Sequence, residues 1–146
     1  MKIAVACDHG AFEYKEIVKG MMKEMGHEVV DFGTDSCASV DYPDYAGPAA
    51  KAVANKECDR GIVICGTGIG VSIAANKVKG IRCALCNDPL SAKLTREHND
   101  SNVLAMGQRI IGEELMKEIV RVWMNTEFSH DERHQRRIDK VSALEK

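Results

Sequence analysis

No stretch of this 146-residue chain approaches the roughly 18 consecutive apolar residues that a membrane-spanning helix needs. Its opening segment, MKIAVACDHG, is too short in its apolar part for a secretory signal, and no small-residue cleavage site follows. A cytoplasmic protein with reduced thiols is therefore expected. A basic excess is missing as well. Lys and Arg number 20 against 22 Asp and Glu, a net charge of −2. Nucleic-acid binders and proteins held at anionic membranes both need the opposite balance, so neither partner is expected. Prolines number only three, and no linker, repeat or low-complexity run divides the chain. One domain spanning 1–146 with its own core follows.

Metal-site spacing is also lacking. The six cysteines stand at positions 7, 37, 58, 65, 83 and 86. Cys83 and Cys86, in CALC, have the separation of a metal or redox pair, but they lie inside an apolar run with no second Cys or His pair at ligand spacing. They read as small buried hydrophobes, and no metal or cofactor is called for.

What the chain does have is alternation. Short apolar runs at Lys2–Cys7, Glu28–Phe32, Gly61–Cys65, Arg82–Cys86 and Asn102–Met106 read as strands. Amphipathic stretches near 11–25, 43–56, 70–78, 89–97 and 112–126 separate and follow them, and Gly26 closes the first as a C-cap would. Strands this apolar must be covered on both faces, which predicts a three-layer α/β/α, Rossmann-like fold with five parallel strands. The tail, SHDERHQRRIDKVSALEK, reads as a further charged helix. In such sheets ligands gather beyond the carboxyl ends of the strands, so the loops CDHG, FGTDSCASVDYP, CGTGIG, CNDP and MGQR are the candidates for function.

CGTGIG, Cys65 to Gly70, stands out among them. It is not a Walker loop or a dinucleotide fingerprint, and a thiol phosphatase would need Arg where Val71 stands. What remains is a run of amides opening a helix beside a thiol. Such amides suit an anion, and the same field favours thiolate over thiol at Cys65, which could then act as nucleophile or general base. The alternative is a tight strand-to-helix turn with an inert cysteine. Asp8 and His9 follow the first strand at the same rim, as sugar or phosphate ligands or as a helix N-cap and a surface residue. His98 ends a predicted helix, either as a plain C-terminal cation or as a proton carrier. Arg109 follows the fifth strand at the ligand rim. Arg133 and Arg137 lie four apart on one helical face and suit a phosphate dianion, or belong to a solvated face shared with Asp131, Glu132 and Asp139.

Taken together, CDHGAFEYKE, DYPDYA, CGTGIGVSIAANKVKGIRCALC, HNDSNVLAMGQRIIG and RHQRR resemble the type B ribose-5-phosphate isomerase family, along with the related allose- and galactose-6-phosphate isomerases. The resemblance runs from Lys2 to about Leu144. It implies a metal-free aldose–ketose isomerase acting on ribose 5-phosphate and ribulose 5-phosphate. It also implies roles: Cys65 as general base, Gly66, Thr67, Gly68, Ile69 and Gly70 around the enediolate oxygen, and His98 as the acid that opens the furanose ring. Asp8 and Asn99 would contact sugar hydroxyls, and His9, Arg109, Arg133 and Arg137 the phosphate. The segment between Trp123 and Arg133 is one residue longer than is common in the family, which leaves Arg136 as an alternative to Arg137. The resemblance further implies a homodimer or homotetramer whose site is shared, the C-terminal helix reaching a partner. One chain would supply His98, Asn99 and Arg109, and the other the base and glycine loop. Two other functions stay open: isomerisation of a hexose 6-phosphate such as allose 6-phosphate, with the loop at Ser36–Tyr42 setting pocket depth, and a noncatalytic sugar-phosphate-binding subunit.

Overall fold

Every expected apolar run forms a strand, and each strand runs parallel to its neighbours. The computed structural model describes residues 1–145, in the order β1 (Lys2–Cys7), α1 (Phe12–Glu24), β2 (Glu28–Asp31), α2 (Pro43–Ala54), β3 (Arg60–Cys65), α3 (Ile69–Asn76), β4 (Cys83–Leu85), α4 (Pro89–Asn99), β5 (Val103–Gly107), α5 (Glu113–Asn125) and α6 (Glu132–Ser142). The sheet order is β2-β1-β3-β5-β4. The chain builds outward from β1 to β2, then crosses to the other side of β1 for β3. That reversal opens a crevice at the carboxyl ends of β1 and β3, where ligands of such sheets bind.

Two unequal cores flank the sheet. One joins Ile3, Val5, Ile62, Ile64 and Leu104 to α1, α4 and α5 through large side chains such as Met22, Met116, Ile119 and Trp123. The other packs α2 and α3 through Ala46, Ala49, Ala50, Ala52 and Ala75, which lets these helices lie close against the strands. β3 is buried at all six positions, as a central parallel strand must be. Gly26 closes α1 at φ +83°, as expected.

Four strands differ at their ends from the expected ones, and β3 begins one residue early, at Arg60. β2 stops at Asp31 rather than Phe32. β4 shrinks to three residues, because the Arg82 N–H is taken by the Asn102 side chain at 2.8 Å rather than by a neighbouring strand. β5 is shifted by one residue at both ends, to Val103–Gly107. As the edge strand, β4 is closed off by a side chain: the Asn76 amide accepts from Cys83 N–H at 2.8 Å and donates to its carbonyl at 3.0 Å.

The loop leaving β2 is clamped by an ion pair between a buried lysine and a partly exposed carboxylate. Lys15, fully buried on α1, donates to both Asp31 oxygens at 2.8 and 3.0 Å and to the Thr34 carbonyl at 2.5 Å. Lys19 reaches Asp31 at 2.8 Å. Burial pushes the Asp31 carboxyl up, but the hydrogen bonds from Lys15, Lys19 and the Gly33 N–H outweigh it and hold the group below its ordinary 3.8. A depressed carboxylate contributes stability that is complete above its unfolded value and lost as pH falls through that value toward the folded one. Asp31→Asn should therefore destabilise the protein by about 2 kcal/mol at neutral pH, since buried Lys15 loses its charged hydrogen-bond partner and keeps only the carboxylates of Glu16 and Asp35, 3.8 and 3.9 Å away. It should also flatten the loss of stability below about pH 4, a comparison that urea unfolding across pH measures.

Candidate active site

β3 delivers Cys65 to the crevice, and the chain then turns sharply into α3. Gly68 makes the turn at φ +80°, in a space where a Cβ would lie 2.6 Å from Leu85 Cδ1 and 2.7 Å from the Met106 carbonyl carbon. Its N–H donates to Cys65 Sγ at 3.1 Å. Thr67 Oγ1 accepts the Ile69 N–H at 3.2 Å, which leaves the hydroxyl proton free to donate outward. The next amides of the first helical turn, Gly70 and Val71, have no acceptor inside the helix. The sulfur thus accepts one backbone N–H at the positive end of a helix. Three other thiols lie in a different setting. Burial pushes Cys7 and Cys86 up to about 11 and Cys83 up to about 12, so all three stay protonated and inert at neutral pH.

The loops after β1 and β5 close on the same spot. Asp8 is buried and accepts the Gly10 N–H at 2.8 Å. It does not cap α1, whose N-cap is Ala11. His9 Nδ1 accepts the Val40 N–H at 3.1 Å, which ties the ring to the 36–42 loop. Tyr42 lies over α3, its ring 2.7 Å from where a Gly70 Cβ would be. Sequence reasoning picked out the 36–42 loop but not Tyr42 itself. Its signal was the Tyr-Pro pair opening a helix, which hands the side chain of the last loop residue to the rim.

Arg109 falls in this group too. Its N–H donates to the Gly66 carbonyl, and that of Gln108 to the Cys65 carbonyl, both at 2.9 Å. Its guanidinium lies over Gly66, Nη1 being 3.2 Å from a Cβ built there. The resemblance grouped Arg109 with His98 and Asn99. In the fold it stands with Cys65 of its own chain, because β5 pairs with β3 and their exits are adjacent.

A second cluster forms at the end of α4. His98, Asn99, His134, Arg137, Asn76 and Cys83 all face a cavity of about 380 Å³. Arginines hold the helix end in place. Arg82 donates to the carbonyls of Asn99 and Asp100 at 2.9 Å, and Arg96 to Asp100 Oδ1 at 2.8 Å and the Ser101 carbonyl at 2.7 Å. α6 packs back onto α4 of the same chain through Ile138. The phase set by Ile138 turns Arg137 into the cavity and Arg136 onto the opposite face, beside Glu132 and Asp139. Arg133 is exposed, 3.7 Å from Asp131.

These two clusters do not meet within one chain. α4 must return from the carboxyl end of β4 to the amino end of β5, so His98 lies at the sheet edge opposite Cys65. The strands give the scale: Cys83 pairs with Val103 and Cys65 with Gly107, four positions on, or about 13 Å.

A family model described as Ribose/Galactose Isomerase matches residues 3–141. The chain belongs to the ribose/galactose isomerase family. Within it, the chain is 50% identical over 144 residues to the ribose-5-phosphate isomerase B of Escherichia coli, covering 99% of this chain and 96% of that one. Its structure is similar to that of the Clostridium thermocellum ribose-5-phosphate isomerase B, with a TM-score of 0.97 at 50% identity, over 99% of this chain and 97% of the other. The Trypanosoma brucei type B ribose 5-phosphate isomerase matches with a TM-score of 0.96 at 44% identity, covering 99% and 98%. Nearly the whole chain is thus ribose/galactose isomerase, α6 included.

Proposed function

We propose that this isomerase interconverts D-ribose 5-phosphate and D-ribulose 5-phosphate through an enediolate, at a site assembled from two copies of the chain. The observation that carries the chemistry is the Gly68 N–H pointed at Cys65 Sγ, 3.1 Å away, at the head of α3. His98 gives a proton to the ring oxygen and opens the furanose. Cys65, as thiolate, takes the proton from carbon two of the open aldose, and the electron pair moves onto the carbonyl oxygen. The amides of the Gly66–Gly70 loop not already taken by Cys65 Sγ and Thr67 Oγ1, with the Thr67 hydroxyl, receive that charge, each donor being worth about a hundredfold in rate. The hydroxyl proton of carbon two passes to the oxygen of carbon one, and returning the abstracted proton to carbon one then completes the ketose, with no net oxidation. Asp8 and Asn99 hold sugar hydroxyls, and His9, Arg109, Arg133 and Arg137 hold the phosphate far from the reacting carbons. The pentose is supported by the names of the relatives. A thiolate base also requires a reducing compartment, which supports the cytoplasm.

The second copy is needed because the thiol and His98 occupy opposite edges of one sheet. A dimer that brings one chain's α4 end to the other's glycine loop completes two sites. Complementation tests this directly. Cys65→Ala and His98→Ala proteins, each inactive alone, should recover about a quarter of normal turnover when unfolded together and refolded, since half the dimers carry one intact site of two. No recovery in dimers verified as mixed would remove the shared site. Failure to convert ribose 5-phosphate while allose 6-phosphate is converted would remove the pentose.

A further inference from the structure

Lys15 takes no part in the chemistry above, yet no charged side chain among the described residues is more deeply buried. Its ammonium has three N–H bonds and three acceptors, the two Asp31 oxygens and the Thr34 carbonyl. Taking an ammonium out of water returns little net stability, but its hydrogen bonds admit only one arrangement of the groups that receive them. Those groups form the root of the loop that joins β2 to α2. The root is also locked to the end of β1. The Cys7 N–H donates to the Gly33 carbonyl at 2.7 Å, and the Thr34 N–H to the Cys7 carbonyl at 2.9 Å.

Beyond the root the loop is held at few points. Residues 35–39 are exposed. Among the described residues, one hydrogen bond ties the stretch from Ser36 to Val40 to the rest of the chain: the Val40 N–H donates to His9 Nδ1 at 3.1 Å. The loop then ends at Tyr42, whose ring lies over Gly70. Its tip thus touches the ring proposed for the phosphate and the loop proposed for the enediolate. A substrate must reach both at once, so the position of the tip decides what length of carbon chain fits between them. If the tip were released, His9 could follow it.

We infer that Lys15 is a positioning residue for substrate length. By fixing Asp31 and Thr34 it holds the 35–42 loop down on His9 and Gly70, and so keeps the phosphate ligand at the distance a five-carbon chain spans. The inference rests on the phosphate role of His9 and on the pentose reading given above.

The experiment measures kcat and KM for ribose 5-phosphate and allose 6-phosphate in the parent, Lys15→Met, Val40→Pro, the double variant and His9→Ala. Melting temperature and light scattering check the fold and assembly of each. Methionine fills the space of the lysine stem and leaves Asp31 paired with Lys19, so the variant should fold with a lowered melting temperature. Val40→Pro removes the N–H that holds His9 and leaves the buried clamp intact. Either single change should raise KM for ribose 5-phosphate about tenfold with kcat within about threefold, and lower the preference over allose 6-phosphate about tenfold. The double variant should stay within about twofold of the worse single one, because both changes release the same loop. A Lys15→Met protein with KM within about twofold of the parent, or with an unchanged preference, overturns the inference. So does a roughly hundredfold, additive rise in KM in the double variant, which would mean that Lys15 acts on something other than the loop. A Lys15→Met protein that does not fold overturns it too, because the lysine would then serve the fold alone. His9→Ala and the parent test the reading beneath. A normal KM in the first, or conversion of allose 6-phosphate alone by the second, removes that reading and the inference with it. Failure at Lys15 with a raised KM in His9→Ala strikes the inference only.

Discussion

Cys65→Ala should bind ribose 5-phosphate with near-normal affinity and turn it over about a thousandfold more slowly or worse. The size follows from the share of rate that a positioned general base supplies, about a hundred- to ten-thousandfold. Affinity survives because the phosphate contacts proposed for His9, Arg109, Arg133 and Arg137 do not use the sulfur. Deuterium exchange into ribulose 5-phosphate, which has no ring to open, should fall in step with turnover, and this separates the variant from one at His98. Removing the sulfur also strands the Gly68 N–H, so some loss of stability accompanies the change, on the order of 1 kcal/mol. Cys65→Ser resolves the ambiguity. Its hydroxyl can still accept from Gly68 but is too weak an acid to serve as an oxyanion base at neutral pH, so stability should return while turnover stays low. Turnover within tenfold of the parent in either variant would dismiss the thiol as base.

Gly107→Ala should be the most damaging single methyl in the protein. A Cβ on this last residue of β5 would lie 2.4 Å from the Thr67 carbonyl carbon and 2.5 Å from its oxygen. These are backbone atoms, so no side chain can rotate aside. Either β5 or the glycine loop must move, and the loop is the weaker. We expect a cost of about 2–3 kcal/mol, lowering the melting temperature by roughly 5–10 °C. Turnover should fall by about a hundredfold, since a 1 Å shift of the loop misplaces both the amides and the Thr67 hydroxyl. Gly20→Ala is the matched control. Gly20 lies within α1 with nothing within 4 Å of its Cβ position, and alanine there should stabilise the helix by up to about 1 kcal/mol. Equal effects at the two positions would discount the close approach at Thr67.

Much of this site was legible before any coordinates. The strands announced themselves because a parallel sheet covered on both faces leaves only apolar positions, as β3 does throughout. Asp8, Cys65 and Arg109 could be assigned to one rim because they directly follow strands that had to be parallel. Arg136 and Arg137 could not be separated, as both fit a helix of uncertain register, and the burial of Ile138 settles which one faces the cavity. His134 was read past because RHQRR was weighed for its arginines. Its ring stacks on that of His98, 36 positions away on another helix, with centroids 4.3 Å apart, and no local spacing reveals a stack of that kind.

Local sequence was therefore sufficient for whatever depends on neighbours along the chain: the alternation of strand and helix, and a thiol placed at the mouth of a run of amides. It could not place Arg109 beside Cys65, pair His98 with His134, or set those histidines at the edge opposite the thiol. These follow from strand order and from the direction in which α4 returns, and both are fixed only when distant segments pack. Burial imposes a periodicity that any segment displays by itself, whereas a site built from several loops exists only once the crossovers have chosen their sides.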